Sequence, residues 1–417
     1  MKKYKILLIS DHALSPSGVG TQSRFLVNGL LQKGCWTVRQ LGAALKHDDY
    51  SLTRVTDDFL IKPVDGFGSP DAIRNILINE KPDVVLLFTD PRFFVWFWQI
   101  EDEVHQVCPI AYWHVWDNYP RPNFNDDFYE STDLINCHSY LSYNIVKEKW
   151  PERTNFIPHA LPDDVFYKIN DSKTKLAKSN FLGKEKENDF VLLWISRNAK
   201  RKRPADLLWA WKKFLDKIET NGERKPATFI MHTDPYDQEG PNLAAVADML
   251  EISDSIVFSN QRVGFEEMNL LHNISDCSIN LSYAEGFGLG TLEAMQAGNP
   301  IIAPKTGGLT RQVVDHRDGS ENGVALDIEF QSLVGSQSVP FIYEDYVSTD
   351  TVANAIHKIY SLSPKERDEL GKKCQEYVKS EFSYENTINA WHDSLLKLIT
   401  DWKEGKTITS RFELREI

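Results

Sequence analysis

The chain of 417 residues contains few cysteines and lacks a long apolar run. Its five cysteines are odd in number, widely scattered and without metal-ligand spacing, which argues against a disulfide framework and a catalytic cysteine. Such thiols are typical of a cytosolic protein, so we expect a cytoplasmic location. The most apolar stretch, Phe93–Ile100, is too short to cross a membrane as a helix. It predicts a buried helix, with membrane docking of its tryptophans as the alternative.

Positive charge is also in short supply. The chain has 60 Asp and Glu residues against 47 Lys and Arg residues, a net charge of -13. This balance argues against nucleic acid or an anionic membrane as a partner of the whole surface. The N-terminus MKKYKILLIS has three lysines and a short apolar run, but Asp11 and His12 interrupt it before a signal-peptide core forms. It predicts a first strand.

Strands alternate with helices along the chain, which predicts parallel sheets joined by crossover helices. A first set of strands ends before Pro162, and a second set begins at Phe190. Between the two sets, Asp163–Asn188 is polar and lysine-rich, and it predicts a linker with a short surface element. A length of 417 residues and 41% apolar content fit two domains better than one.

The most informative stretch is AEGFGLGTLEAMQAGNP, where two glutamates flank a glycine-rich turn. The residues before it, Cys277–Tyr283, predict a buried strand, and Leu292–Ala297 predict a helix. Gly286 and Gly288 let the main chain approach a ligand closely. The first amides of the helix and the positive end of its dipole favour an anion at the same place.

The two glutamates, Glu285 and Glu293, would repel a phosphate at this place unless each binds another part of the ligand. If the helix begins near Leu289, Glu293 lies one turn in and can accept two hydrogen bonds from a ribose diol. Glu285, at the end of the strand, lies where a sugar ring would be. The pattern favours a nucleotide sugar. The alternative is that Glu293 only complements the helix dipole and Glu285 is solvated.

A basic motif, WISRNAKRKRP, follows an earlier strand-like run. Arg197 at the end of that strand would project into the crevice where doubly wound sheets bind ligands, and Lys202 follows at the start of the helix Ala205–Phe214. Arginine can bind two phosphate oxygens at once, whereas lysine acts as a point charge. The alternative is a solvated basic loop or a nucleic-acid patch over 200–203, so only Arg197 and Lys202 are candidates.

Together these motifs resemble the retaining glycosyltransferases of family 4, which have the two-domain GT-B fold. That family carries a glutamate, seven residues and a second glutamate around an E-G-F-G turn, followed by E-A-M and G-x-P. The spacing of its arginine and lysine also matches Arg197 and Lys202. The matching residues of the turn and the following helix are Glu285, Gly286, Phe287, Gly288, Glu293, Ala294, Met295, Gly298 and Pro300.

The resemblance implies an α/β fold in which two Rossmann-like, doubly wound parallel-sheet domains face each other across a cleft. It also implies that Glu285 faces the transferred sugar and Glu293 holds the ribose. The backbone from Phe287 to Leu289 would cap the diphosphate, which Arg197 and Lys202 would neutralise. Retention at the anomeric carbon, by front-side attack with phosphate as the proton acceptor, is likewise implied by the family.

We predict no catalytic metal and no cofactor apart from the nucleoside diphosphate sugar that serves as donor substrate. No Asp-x-Asp sequence occurs in the chain, so the metal-dependent GT-A route lacks its usual ligand. The predicted partners are a nucleotide sugar and an acceptor that is a glycan, a lipid-linked sugar or a small molecule. Nucleic-acid binding and a transmembrane segment are not expected, and peripheral membrane contact is left open.

In the first domain, SPSGVGTQSRFL follows the first strand, and Gly18 and Gly20 permit a tight loop before a helix. A dinucleotide fingerprint would need a glycine where Ser23 stands and an acid at the end of the strand Thr37–Leu41. Both are missing, so an NAD oxidoreductase is disfavoured. The resemblance implies that Gly18 and Gly20 present backbone to the donor or acceptor, although Val19 departs from the family's glycine pair.

His114, at the end of a predicted strand in AYWHVWDNYP, is the remaining catalytic candidate. A histidine between tryptophans is commonly a packed core residue. The resemblance instead implies a cleft histidine that helps to position the sugar or the acceptor, with Asp117 as a weaker neighbour. His159 resembles a P-N-G or P-H-G element of the family in which Ala160 replaces the glycine, and its role is left open.

We expect residues 1–165 to form an N-terminal acceptor-side domain, completed by a C-terminal helix at 383–417, and residues 166–382 to form the nucleotide-sugar domain. The predicted function is retaining, metal-independent transfer of a hexosyl group from a UDP- or GDP-sugar to an acceptor hydroxyl. The alternatives are an epimerase or phosphorylase on the same scaffold, or a nucleotide-sugar-binding protein without catalysis. A nucleic-acid-binding protein is a more distant alternative.

Overall fold

Two parallel sheets, each with its own buried apolar clusters, organise the computed structural model, which describes residues 3–223 and 226–407. Unit 1 contains the residues up to Ala160, the segment Gly335–Ile342 and the residues from Tyr384 onward. Unit 2 contains Leu161–Val334 and Tyr343–Ser383. The chain thus leaves unit 1 after Ala160, where the sequence predicts a boundary after residue 165. Of the predicted C-terminal helix at 383–417, residues 408–417 lie outside the described part.

The elements up to Ala160 alternate strands and helices, with two short helices after β5. They are β1 (Tyr4–Asp11), α1 (Gly18–Gln32), β2 (Trp36–Ala43), β3 (Thr53–Arg54), β4 (Phe59–Pro63), α2 (Pro70–Asn79), β5 (Val84–Phe88), α3 (Val95–Trp98), α4 (Glu101–His105), β6 (Ile110–His114), α5 (Asp126–Glu130), β7 (Leu134–Cys137), α6 (Tyr140–Lys147) and β8 (Thr154–Phe156).

The elements after Ala160 repeat this alternation and end in three helices. They are α7 (Asp171–Leu182), β9 (Phe190–Ile195), α8 (Pro204–Thr220), β10 (Ala227–His232), α9 (Leu243–Met249), β11 (Ile256–Ser259), α10 (Phe265–Ile274), β12 (Cys277–Ile279), α11 (Leu289–Gln296), β13 (Ile301–Pro304), α12 (Thr310–Val313), β14 (Gly323–Leu326), β15 (Phe330–Val334), β16 (Ile342–Tyr346), α13 (Thr349–Ser361), α14 (Pro364–Glu381) and α15 (Tyr384–Lys403).

The sheet of unit 1 has the strand order β3-β4-β2-β1-β5-β6-β7-β8, and all neighbours are parallel except β3 and β4. Its strands are apolar runs, such as VVLLF in β5, because helices cover both faces of a parallel sheet. α15 belongs to this unit. Its Trp391 and Leu395 are buried in the same cluster as Leu8 and Trp113 of the sheet.

The sheet of unit 2 has six parallel strands in the order β11-β10-β9-β12-β13-β14. The central strand β9, FVLLWI, is almost entirely buried. α8 covers it with apolar residues three or four positions apart, because Leu207, Trp211 and Phe214 lie in the same cluster as Leu192 and Trp194. Two doubly wound α/β units are therefore present, as the sequence predicts.

Three segments differ from the sequence predictions. Phe93–Ile100 is not one buried helix, since a 3-10 turn leads into the four-residue α3 and the Phe93 and Val95 side chains are exposed. Asp163–Asn188 contains the 12-residue helix α7, which Asn170 caps by accepting a hydrogen bond from the Lys173 amide. The strands β15 and β16 form an additional two-stranded sheet in a region with no clear alternation of apolar residues.

Candidate functional site

The candidate residues of unit 2 lie after two neighbouring strands, β9 and β12, that end at the same edge of the sheet. From β9 the chain adds β10 and β11 on one side, and then β12 on the other side. A ligand crevice is expected where the strand order reverses in this way, outside the carboxyl ends of the strands. The strand order therefore places the segments after β9 and after β12 beside this crevice.

The glycine-rich turn predicted from the sequence is present, and other residues hold it from behind. Gly288 precedes α11 with φ of +90°, a left-handed conformation that favours glycine. A Cβ on Gly308 would lie 2.4 Å from the Gly286 carbonyl oxygen, so the two backbone segments touch. The buried amide of Gln312 donates to the Phe287 carbonyl at 2.7 Å. The turn is thus fixed by close backbone packing.

The amino end of α11 lies at the end of β9. A Cβ on Gly290 would lie 3.5 Å from the carbonyl oxygen of Ile195, the last residue of that strand. The first amides of α11 have no acceptor within the helix, and they carry the positive end of its dipole. Since β9 leads directly into the basic segment 197–203, the structure places positive groups from two elements beside each other.

Glu285 and Lys202 form an ion pair in this region. Their side chains are 13% and 11% exposed, so the pair is largely shielded from water. Ser282 also donates a hydrogen bond to Glu285 at 2.9 Å, and the Arg201 guanidinium lies 3.9 Å from the same carboxylate oxygen. Ser282 and Arg201 are contacts that the motif analysis missed, although Arg201 is next to Lys202 and Ser282 lies three residues before Glu285.

The charge state of Glu285 follows from these contacts. Burial alone would raise the pKa of its carboxyl, but the positive charges of Lys202 and Arg201 and the hydrogen bonds from Lys202 and Ser282 outweigh burial and lower the pKa to about 2. Glu285 is therefore a carboxylate at neutral pH. It can stabilise positive charge on a neighbouring group, but it has no proton to donate.

Arg197 has different partners from Lys202. Its Nε lies 2.7 Å from Asp237 and its Nη1 lies 3.1 Å from Glu239, both in the loop after β10. The Arg197 side chain is 60% exposed. The structure thus brings Lys202 and Glu285 together, whereas Arg197 is bound by two acids that the sequence analysis did not select. Nothing local in the sequence marks these acids, because Asp237 lies 40 residues downstream of Arg197, and Glu239 lies in the same irregular loop.

Glu293 lies in the first turns of α11, as the sequence predicts. Its Oε2 is 3.3 Å from Nε2 of His272 in α10, and its side chain is 16% exposed. The His272 side chain has no exposed surface. His272 was not a sequence candidate, because a single histidine on the buried side of a helix has no distinguishing pattern.

The residues predicted in unit 1 fall into two places. Gly18 and Gly20 lie in the first turn of α1, where Gly20 donates its amide to the cap residue Ser17 at 3.0 Å. A Cβ on Gly20 would lie 2.6 Å from the His12 carbonyl oxygen, so this glycine is needed by the loop itself. The helix begins at Gly18, so both glycines belong to the helix itself, whereas the sequence predicts a loop before it.

His114 is a core residue in this structure. It has no exposed surface, and its Nε2 lies 2.8 Å from the Tyr129 hydroxyl. Burial, together with the neighbouring His138, lowers the pKa of His114 to about 3, so the ring is neutral at pH 7. The ring is thus enclosed within unit 1, and the catalytic role that the resemblance implies for His114 stays a prediction.

The described residues contain no group of three or more His, Cys, Asp and Glu side chains that could hold a metal ion. The described helices also include none with the length and apolar composition needed to cross a membrane. The five cysteines are free, and four of them are buried.

Comparison with known families bears on the part of the chain that carries this site. Residues 177–377 match the family of glycosyl transferases group 1. The match includes β9, the basic segment, the glycine-rich turn and α11, and it therefore covers Arg197, Lys202, Glu285 and Glu293. The match supports the resemblance to glycosyltransferases that the sequence motifs indicate, at the level of glycosyl transferases group 1.

A curated relative is similar over a longer stretch. The chain is 23% identical over 282 residues to N-acetyl-alpha-D-glucosaminyl L-malate synthase from Bacillus anthracis. The similar stretch is 66% of this chain and 63% of that enzyme, so the chain spans less than two thirds of the length of this relative.

Solved structures show the fold. Sucrose-phosphate synthase from Thermosynechococcus elongatus superposes with a TM-score of 0.72 at 15% identity, covering 95% of this chain and 100% of that one. Alr3699/HepE from Anabaena, in complex with UDP and glucose, gives 0.68 at 16% identity, covering 94% and 100%. The GT-B fold predicted from the sequence, with two Rossmann-like units that contain parallel sheets, is confirmed.

Proposed function

We propose that the chain is a glycosyltransferase that moves a sugar from a nucleoside diphosphate sugar, UDP- or GDP-linked, to an acceptor hydroxyl with retention at the anomeric carbon. The observation that carries this proposal is the shielded Lys202–Glu285 pair beside the amino end of α11. A lysine, a fixed carboxylate and unpaired helix amides suit one ligand that has both an anionic and a hydroxylated part. The family match over 177–377 supports the same function.

The difficult step of this reaction is departure of the nucleoside diphosphate, since negative charge grows on its oxygens. Lys202 and the first amides of α11 would bind those oxygens, and their effect is electrostatic. Backbone amides held by a packed turn need little reorganisation during the reaction. The packing of Gly308 against Gly286 supports this role.

Arg197 would be the second cation for the diphosphate. Asp237 and Glu239 bind its guanidinium with carboxylate oxygens, which resemble phosphate oxygens in charge and geometry. Exposure of 60% leaves the side chain able to change partners. Donor binding would then replace at least one of these two carboxylates by the diphosphate.

Glu285 would lie beside the transferred sugar as a carboxylate, since its pKa of about 2 keeps it ionised. A fixed negative charge stabilises the positive charge that develops at the anomeric carbon. In the proposed front-side reaction the bond from the anomeric carbon to the leaving phosphate oxygen breaks, and the bond to the acceptor oxygen forms on the same face. The leaving phosphate takes the acceptor's proton, so no carboxylate nucleophile is needed.

Metal independence belongs to the same proposal, because Arg197, Lys202 and the helix amides supply positive charge to the diphosphate. A chelator should therefore leave turnover unchanged. If added Mg²⁺ restored turnover to a Lys202 variant, that result would point to a metal site instead. The cytoplasmic location also stays a prediction.

The test starts with binding and proceeds to turnover. Thermal unfolding is measured with UDP, GDP and ADP, since a ligand at a hundredfold its dissociation constant adds about 2.7 kcal/mol of stability. Nucleoside diphosphate sugars that carry the tightest-binding base are then incubated with the protein and acceptors. UDP-glucose is tried first, because the Anabaena neighbour binds UDP and glucose. Acceptor-dependent release of free nucleotide, with the product anomer assigned by NMR, is the expected result. Absence of nucleotide binding would contradict the proposal.

The alternative enzymes on this scaffold give different products. An epimerase would change the sugar without an acceptor, and a phosphorylase would require inorganic phosphate. A protein that only binds the nucleotide sugar would show thermal stabilisation and no product with any acceptor.

A further inference from the structure

His272 is a fully buried histidine that the proposed reaction does not use. Its ring packs edge-on against Phe166, with ring centroids 5.7 Å apart. Its Nδ1 is buried and has no hydrogen-bond partner within 3–223 and 226–407. An unsatisfied buried polar atom is costly, so an apolar residue would be the simpler choice for this position. Nε2 of the ring lies 3.3 Å from Oε2 of Glu293.

A second imidazole lies near the same carboxylate. His232 is the last residue of β10, and its Nδ1 lies 2.9 Å from the Ser259 hydroxyl at the end of β11. Burial and the neighbouring His272 lower the pKa of His232, while Glu293 acts in the opposite direction. Glu293 therefore lies near the carboxyl ends of β10 and β11, and His272 is the residue that holds it there.

We infer that His272 is a positioning residue that orients Glu293 for a ribose diol. The Nε2–H of His272 donates to Oε2, which occupies one acceptor direction of the carboxylate. The remaining acceptor directions, on Oε1 and on the outer side of Oε2, are then presented to two vicinal hydroxyls. This inference rests on the proposed function, because it gives a partner to the acid that would bind the donor's ribose.

The consequence is selectivity for ribose over 2′-deoxyribose. A site whose polar groups are fixed to accept hydrogen bonds from a hydroxyl discriminates strongly against a ligand that lacks it, since the site's groups stay unpaired. A mobile Glu293 would turn toward water and lose part of that discrimination. The quantity to measure is therefore the ratio of two dissociation constants, because loss of general stability affects both ligands alike.

The experiment measures dissociation constants by calorimetry for UDP, GDP or ADP, whichever binds most tightly, and for its 2′-deoxy form. The wild type should prefer the ribonucleotide by on the order of tenfold, and Glu293→Ala should remove the preference. His272→Phe should reduce the preference at least threefold, mainly by weakening the ribonucleotide. His272→Gln should restore part of it, because the glutamine amide can also donate to Glu293.

His357→Phe is the matched control. His357 Nε2 lies 2.8 Å from Glu223, so this variant also removes an imidazole beside a carboxylate in unit 2. Its ribose preference should equal that of the wild type. Thermal unfolding establishes that each variant is folded, and if His272→Phe does not fold, the smaller His272→Leu is measured by the same criterion.

The outcomes separate the inference from the proposed function. A wild type that binds none of the three nucleotides contradicts both. Binding without a ribose preference overturns the role of Glu293, and that of His272 with it. A preference that is the same in the wild type and in a folded His272→Phe protein overturns the role of His272 alone.

Discussion

At the scale of single residues, we expect the ion pair of Lys202 and Glu285 to affect both the stability of the protein and its turnover. Removing Lys202 leaves the shielded Glu285 without its main counter-charge. Lys202→Met should therefore destabilise the protein by about 3 kcal/mol. The double variant Lys202→Met/Glu285→Gln should recover most of the loss, since it removes both charges, while both variants should turn over slowly. Urea unfolding followed by fluorescence measures this, and a single variant as stable as the wild type would contradict the pairing.

The contacts of Arg197 predict a substitution that improves ligand binding. If Asp237 competes with the diphosphate for the guanidinium, Asp237→Asn should tighten binding of the nucleoside diphosphate. The expected gain is about two- to fivefold, because the pair is exposed and of modest strength. Calorimetry measures it. The same substitution in an Arg197→Ala background should change nothing, and an equal gain in both backgrounds would show that Asp237 acts on the ligand directly.

The residues of the candidate site were predictable in part. Glu285 and Lys202 could be selected because both lie in short segments with a recognisable order of residue types, at the ends of apolar strands. Asp237 and His272 could not, because their role depends on which elements meet in space. The burial of His114 also lay beyond the sequence, since tryptophans flank cleft and core histidines alike.

At the scale of elements, the packing of Gly308 against Gly286 and Phe287 fixes the turn before α11. A Cβ there would lie 2.6 Å from the Phe287 Cα, so Gly308→Ala must displace the turn that presents the helix amides. We expect turnover to fall at least tenfold and nucleotide affinity to fall with it, because a small displacement of oriented donors is costly. Gly319→Ala is the control: its φ of +76° strains an alanine, but no atom lies within 4 Å of a Cβ there, so it separates a loss of stability from displacement of the turn. Steady-state kinetics measures both, and equal effects in the two variants would contradict the role of the turn.

A second prediction concerns the link between α4 and β7 in unit 1. His105 bridges Glu101 at 2.7 Å and Asp133 at 2.9 Å in a buried position. Burial acts to lower the pKa of His105, but the two carboxylates outweigh it and raise the pKa to about 9. The folded pKa is above the unfolded value of 6.5, so the bridge contributes its full stability below pH 6.5 and loses it as the pH rises through 9.

The variant His105→Gln should therefore lower the unfolding temperature more at pH 6 than at pH 10. The contribution of the histidine at pH 6 is of order 3 kcal/mol, from a pKa difference of about 2.5. Differential scanning calorimetry of both proteins at the two pH values tests this. A pH-independent difference between them would contradict a charged His105.

Strands with continuous apolar runs, such as β5 and β9, could be predicted from the sequence. A strand that is buried on both faces needs apolar side chains at successive positions, and this composition is easy to recognise. α7 could not, since its polar surface gives only a weak amphipathic pattern and Leu182 is its one buried residue. β15 carries mostly exposed side chains, so its strand structure has no counterpart in an apolar alternation.

At the scale of the whole molecule, the two units are each built around a parallel sheet, and the strand order of unit 2 reverses between β9 and β12. The sequence contains two successive sets of alternating strand-like and helical segments, and these predict the two parallel-sheet units. The order of strands in each sheet was not predictable from local patterns. It is nevertheless what brings the basic segment after β9 beside the turn after β12, and so converts two separate motifs into one candidate site.

The most direct test of this convergence is the calorimetric affinity of the protein for a nucleoside diphosphate relative to the corresponding monophosphate. If Arg197, Lys202 and the amino end of α11 bind the diphosphate, the wild type should prefer the diphosphate by on the order of tenfold or more. The preference should shrink in both Arg197→Ala and Lys202→Gln. Equal affinity of the wild type for the two nucleotides, or a preference unchanged in both variants, would contradict a diphosphate site at this edge of the sheet.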